Sequence, residues 1–183
     1  MDNTTQGGFT LIELLVTIGI LAVLSAIGIP SYRNFVAGNR VATEMNAFVG
    51  DLQYARSAAN KRGQDVIICA STNATQSNPQ CSGAGPWSTG WIVFLDENGD
   101  GTLDPSDRLL RVHGPLGSGD TMTGNQNVEH SITFNRFGML SSMADGAGTI
   151  LLNTPNDNTA LERCVVISSV GKLSAESGGD CNS

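Results

Sequence analysis

The run from Phe9 to Ile29 constrains this chain more than any other part of it, because its only ionisable residue is Glu13. About 20 apolar residues at a rise of 1.5 Å cover roughly 30 Å, the hydrocarbon thickness of a bilayer. The run therefore predicts a transmembrane helix over 9–29, and a chain of 183 residues then has room for one further domain of ordinary size. A cleaved secretory signal fits poorly. Such signals open on a basic stretch, carry a shorter apolar core and end on a small-residue cleavage site. The leader MDNTTQGG holds no Lys or Arg, and its glycine pair precedes the apolar run. A carboxylate at membrane depth costs about 2.5–3.5 kcal/mol on insertion scales, so Glu13 marks a function and a partner.

Beyond Pro30 the pattern changes from uniformly apolar to striped. Val41, Met45, Phe48, Leu52, Ala55 and Ala59 recur at steps of three and four, and Tyr32, Phe35 and Val36 extend the stripe backwards. That period predicts an amphipathic helix over 30–62 that lays one face on a soluble domain. Pro30 lacks an N–H and crowds the preceding turn, which predicts a kink or local melting there, and Gly63 is the predicted stop.

From 63 to 183 the chain breaks into short β-branched and aromatic runs: DVIICAS from Asp65, GWIVFLD from Gly90, RLLRVHGPL from Arg108, VEHSITFNRFGML from Val128, TILLNTP from Thr149 and RCVVISSVGKLS from Arg163. Gly, Pro, Asn and Ser clusters bound each run, predicting antiparallel strands packed on the amphipathic helix. With 22 glycines and only 5% aromatics, a loop-rich β domain suits the composition better than a helical bundle. Cys69, Cys81, Cys164 and Cys181 have no C-x-x-C spacing, which argues against zinc ribbons and redox motifs. Of the three pairings four cysteines allow, closure of short loops favours Cys69 with Cys81 and Cys164 with Cys181. Disulfides imply an oxidising compartment outside the cytoplasm.

The stretch GGFTLIELLVTIGILAVLSAIGIP is similar to the type III signal of type IV pilins and type II secretion pseudopilins. That resemblance implies an α+β pilin-like fold, a long N-terminal helix on an antiparallel β-sheet domain, with 1–8 as a leader. It implies cleavage between Gly8 and Phe9 by a prepilin peptidase, N-methylation of Phe9, and Glu13 as the fifth mature residue. Glu13 then meets the Phe9 amine of a neighbouring subunit when the helices leave the inner membrane for a filament. The order of LQYARSAANKRGQDVIICAS, GWIVFLDENGDGTLDPSDRLLRVH, ITFNRFGML and VVISSVGKLS resembles the minor-pilin branch of FimT, FimU and GspH. Shared with it are a helix ending in Ala-Arg-Ser, a tryptophan-led hairpin with an acidic tip, and a Phe-x-x-x-Gly strand. The resemblance implies a structural subunit that joins or primes a type IV pilus, its head in the periplasm. The alternatives are a GspH-like pseudopilin of type II secretion and a pilus-displayed DNA-binding subunit.

The hairpin tip has two readings. Asp96, Asn98, Asp100, Thr102, Asp104 and Asp107 fit the offsets of a calcium loop, with Gly101 at the sharp turn. The preferred reading is an acidic turn, because Asn-Gly and Asp-Gly favour tight hairpins without any ion. Lys172 stands where FimT-like proteins carry a basic Gly-Arg motif that contacts DNA in some of them. Phosphate binding needs clustered cations, Glu176 and Asp180 follow, and the net charge is -7, so DNA is disfavoured. His113 and His130 read as structural strand residues, and Trp87 and Trp91 as core or hairpin aromatics. With no nucleophile elbow and no phosphate-binding loop, the sequence predicts no enzyme and no cofactor other than the calcium alternative.

Overall fold

The computed structural model describes residues 10–83, 85–141, 147–155, 158–178 and 181. Helix α1 spans Leu11–Arg62 without interruption, Pro30 included, so the local melting expected at that proline does not occur. By its contacts the chain divides into two units at Ala37/Gly38.

In the first unit, residues 11–36 of α1 are exposed on every side. The most apolar 18-residue window of this helix has a mean hydropathy of 2.4 and no buried residue, so it is long and apolar enough to cross a membrane. In the second unit the stripe is buried as predicted, whereas Tyr32, Phe35 and Val36, expected to extend it backwards, are exposed, so the half of the helix that packs on a core begins later than Pro30. Val41, Met45, Phe48, Leu52, Ala55 and Ala59 are all in the core. Gly63 ends the helix with φ +68° and its N–H on Ala59 O at 2.9 Å, a left-handed cap that a residue with a Cβ resists.

Among the described residues the head carries eight strands: β1 Val66–Ala70, β2 Trp91–Leu95, β3 Arg108–His113, β4 Thr121–Gly124, β5 Ser131–Phe134, β6 Gly148–Asn153, β7 Arg163–Ile167 and β8 Leu173–Ser177. They form two four-stranded sheets, ordered β3-β2-β1-β5 and β4-β6-β7-β8. Every pairing is antiparallel.

Strands β1 and β2 are buried on both faces. Side chains alternate across a strand, so Val66, Ile68, Ala70, Trp91, Val93 and Leu95 join the main core with the helix stripe. Ile67, Cys69, Ile92 and Phe94 face the other way, into a smaller core with Ala74, Cys81 and Leu103. The disulfide Cys69–Cys81, with Cα atoms 5.5 Å apart, ties the loop over that second face. Cys164–Cys181, at 5.7 Å, fastens the chain beyond β8 to β7. Both are the short closures favoured from spacing.

Three details depart from the sequence expectation. The four-residue β4, Thr-Met-Thr-Gly, was not anticipated. The run from Arg163 is two strands, parted by a turn at Ser168–Lys172. The run from Val128 is strand only over β5, which a turn closed by Asn135 and Gly138 follows; Gly138 N–H donates to Asn135 O at 2.8 Å.

Candidate functional site

Four groups of residues bear on function, beginning with the start of α1. Gly8 and Phe9 lie outside the described residues. Glu13 is exposed, and its N–H donates to Thr10 Oγ1 at 3.3 Å while its carboxylate accepts the Thr10 N–H at 3.5 Å. This reciprocal pair is a capping box, S/T-x-x-E, which satisfies donors that a helix start leaves open. Sequence reasoning missed it, although Thr10 three residues before Glu13 is its signature. Both contacts are long, and only the one from the Thr10 N–H, at 3.5 Å, reaches the carboxylate, which is therefore held loosely.

The second group is the tip between β2 and β3. Asp96, almost wholly buried, accepts the N–H groups of Gly99 and Gly101 at 2.8 and 3.0 Å. Asp107 accepts those of Glu97 and Asp104, at 2.8 and 3.0 Å. Asp100 takes the N–H and hydroxyl of Thr102, both at 2.8 Å, and Asn98 donates to Asp100 and Asp104. The Thr102 N–H, then its hydroxyl, hold the Asp100 carboxyl below its ordinary value. Carboxylate oxygens of Asp96, Asp100 and Asp107 lie within 4.8 Å of one another. Each of the three is at the same time an acceptor for loop donors, so the tip is folded by its own hydrogen bonds.

The third group joins three motifs that lie far apart in the sequence. Gly138, at the end of Phe134-x-x-x-Gly138, has φ +70°, and a Cβ there would meet Asn60 and Arg56 of α1. Gly171 has φ +74°, and its missing Cβ leaves room for the Gly138 carbonyl and the Arg56 guanidinium. Arg56 donates to Val170 O at 3.1 Å and so ties α1 to the β7–β8 turn. Lys172 does not stand alone. With Arg56, Lys61, Asn60 and Gln53 it lines a groove of about 660 Å³ whose wall, among the described residues, holds no acidic side chain.

The fourth group is polar and was not visible in the sequence. Asp51, on α1, accepts the Trp91 indole N–H at 2.8 Å through one oxygen and Arg111 at 2.7 Å through the other. Arg111 lies 3.9 Å over the Tyr54 ring, and Phe48 meets Trp87 and Trp91 edge-on. His113 stacks on Trp91 at 3.8 Å and reaches Glu44 at 3.6 Å, while His130 lies 3.3 Å from Gly85 O. Both histidines have structural neighbours, and both tryptophans are core. Arg40 forks onto the fully buried Asp120 carboxylate through two bonds of 2.7 Å. That bond raises the Arg40 pKa against the opposing effect of burial.

Comparison with known proteins adds two family models: type II transport protein GspH over residues 44–171, and the prokaryotic N-terminal methylation motif over residues 3–29. A crystal structure of the type IV minor pilin FimU from Pseudomonas aeruginosa matches with a TM-score of 0.55 at 24% identity, over 80% of this chain and 91% of that one. That likeness carries the fold. A fimbrial protein of Pseudomonas aeruginosa is 29% identical over 124 residues, 64% of this chain and 77% of its own length. Prepilin peptidase-dependent protein D of Escherichia coli is 54% identical over 44 residues, 24% of this chain and 30% of that protein. The chain thus spans under a third of that relative.

Proposed function

The chain belongs to the type II transport protein GspH family, and from that premise we propose that it is a minor-pilin subunit that joins or primes a type IV pilus filament. A prepilin peptidase cuts between Gly8 and Phe9 and methylates the Phe9 amine; the subunit waits as a single-pass protein of the inner membrane with its head in the periplasm. The observation that carries this reading is the contrast within α1. Residues 11–36 are exposed, and as far as Ile29 they are apolar save for Glu13 and a few small polar side chains, while the head completes its core without them. A surface of that kind needs lipid first and other helices of the same kind afterwards. Two disulfides support an oxidising compartment for the head. The subunit works by association; no catalytic step is assigned to it.

Glu13 has a physical role in this sequence of events. In the free subunit it holds only the long capping contacts with Thr10, and in the filament it takes up the Phe9 amine of a neighbour, which offsets the cost of a carboxylate among apolar helices. Glu13→Ala is expected to leave the head folded and to lower incorporation into filaments at least tenfold, measured in sheared filament fractions. Gly8→Val is expected to leave the leader attached, read directly from the mass of the membrane-bound chain. Normal incorporation of the first variant, or normal processing of the second, overturns the reading.

The name of the family model favours a second reading, a pseudopilin of the type II secretion system, built on the same helix chemistry. A deletion strain separates the two: loss of twitching supports the pilus, loss of protein secretion supports the pseudopilus. Loss of DNA uptake alone supports the nucleic-acid reading of the Lys172 groove. Three cations on a chain of net charge -7 make this the weakest of the three.

A further inference from the structure

The last turns of α1 and the turn between β7 and β8 meet in the groove of about 660 Å³ described above. Its charged side chains are Arg56, Lys61 and Lys172, and its neutral polar ones, Gln53, Ser57 and Asn60, can all donate hydrogen bonds. Lys61 and Lys172 are exposed. None of the three cations has an acidic partner among the described residues, whereas Arg40, Arg108 and Arg111 each have one. On a chain of net charge -7 the groove is a local reversal of sign, and it suits an anionic ligand.

The base of the groove is fixed. Arg56 donates to Val170 O at 3.1 Å, and Gly138 and Gly171, both with positive φ, leave room for its side chain. Apolar side chains stand beside these glycines in the sequence, Phe137 and Met139 around Gly138 and Val170 before Gly171. All three are exposed, Phe137 at 69% and Val170 at 57%, and Arg136 lies 5.4 Å over the Phe137 ring. A nucleic-acid backbone calls for a longer run of cations than three. Exposed aromatic, Met and Arg side chains close together are instead the composition enriched in protein contacts.

The groove and these turns share one end of the head. Val66, just beyond the Gly63 cap, pairs with Phe134, so the Phe137 turn leaves β5 where α1 stops. Asn60 lies about 33 Å along the helix from Gly38, at 1.5 Å per residue, so this end is remote from the point where the apolar half joins the head. We propose that it is a docking face for a different subunit of the same filament, one that presents an acidic segment flanked by apolar side chains. Carboxylates of that segment enter the groove between Lys61 and Lys172, and its apolar neighbours cover Phe137, Met139 and Val170. The contact joins two unlike surfaces of two unlike chains, which suits a subunit present in few copies. It rests on the minor-subunit reading given above.

The test uses the full chain in its host cells, with the photo-crosslinker benzoylphenylalanine in place of the exposed Gln53, and reads sheared filament fractions after irradiation. The expected product is a cross-link to a different protein that carries its own N-terminal methylation motif, at a peptide containing Asp or Glu. Lys61→Glu together with Lys172→Glu is expected to lower the yield about fivefold or more, and Lys in place of the partner's acidic residue to restore it to within about twofold. Phe137→Ser, at a side chain outside the core, probes the apolar side independently and is expected to lower the yield as well. A cross-link to another copy of this chain, to DNA or to a peptide without acidic residues overturns the proposal. So does a chain that is present in the filament fraction without any cross-link, or the absence of recovery with the partner variant. Absence of the chain from that fraction overturns the minor-subunit reading, and the docking face with it.

Discussion

Asp51 sits on the buried face of α1, where an apolar residue would be expected, and it is the acceptor that makes two neighbouring side chains affordable. The indole N–H of Trp91 has no other partner, and Arg111 reaches inward from β3 to the second oxygen. Asp51→Ala leaves a buried indole N–H unsatisfied and a guanidinium without its anion. Buried donors so orphaned cost about 1–3 kcal/mol, and a loss of about 2–3 kcal/mol in chemical unfolding of the full chain is expected. Nothing at position 51 announces this, because its partners lie 40 and 60 residues on, and only the fold brings them together. The acidic tip is the opposite case. Its alternating Asp and Asn residues were legible as a turn with a calcium-like spacing, and every carboxylate in the ring now has loop donors. Titration with millimolar calcium is expected to release no heat, and a chelator to leave the melting temperature unchanged. Asp100 gives the tip a pH dependence. Its folded carboxyl lies below the ordinary value of 3.8, so its contribution is complete above that value and is lost as the pH falls through the lower, folded one. The melting temperature of Asp100→Asn is therefore expected to lie below that of the parent chain at pH 6 and to converge with it towards pH 2.

At the scale of elements, the two turns closed by Gly138 and Gly171 depend on each other. Gly171 has φ +74° and a backbone carbonyl where its Cβ would go. Gly171→Ala must bear a left-handed conformation, which costs about 1–3 kcal/mol in itself, and a clash that only backbone movement relieves. A loss of at least about 2 kcal/mol is expected in thermal unfolding, larger than for alanine at Gly99, where φ is also positive but nothing stands within 4 Å. The difference between the two variants measures the clash apart from the dihedral cost. The helix was the most legible element, since a period of three and four residues survives any tertiary context and Gly63 stops it as read. The sheets were less so. Strand β4 is four residues with two threonines and a glycine, too short and too polar to show a period. The division into two sheets follows from non-local pairings such as β1 with β5 that alternation alone does not encode. The convergence of Arg56, Gly138 and Gly171 was legible only as three separate motifs.

For the whole molecule, the buried core and both disulfides lie after Gly38. The Cys69–Cys81 bond closes a loop of 12 residues' separation over the second core. Its removal, as Cys69→Ser with Cys81→Ser, is expected to cost about 3 kcal/mol, chiefly by freeing the unfolded chain, and to expose Ile92 and Phe94 to dye binding near the transition. The overall architecture was legible because its parts differ in pattern, a run of uniform apolarity and then a striped run followed by short β-branched runs between turn residues. That segregation also sets a timetable. On the assembly reading proposed above, a head that draws nothing from residues 11–36 can finish folding and form its two disulfides while those residues are still in lipid. Maturation of the head and recruitment of the helix then become two clocks rather than one. On the same reading, a damaged head is open to proteolysis while it is still tethered, before it is committed to any larger structure.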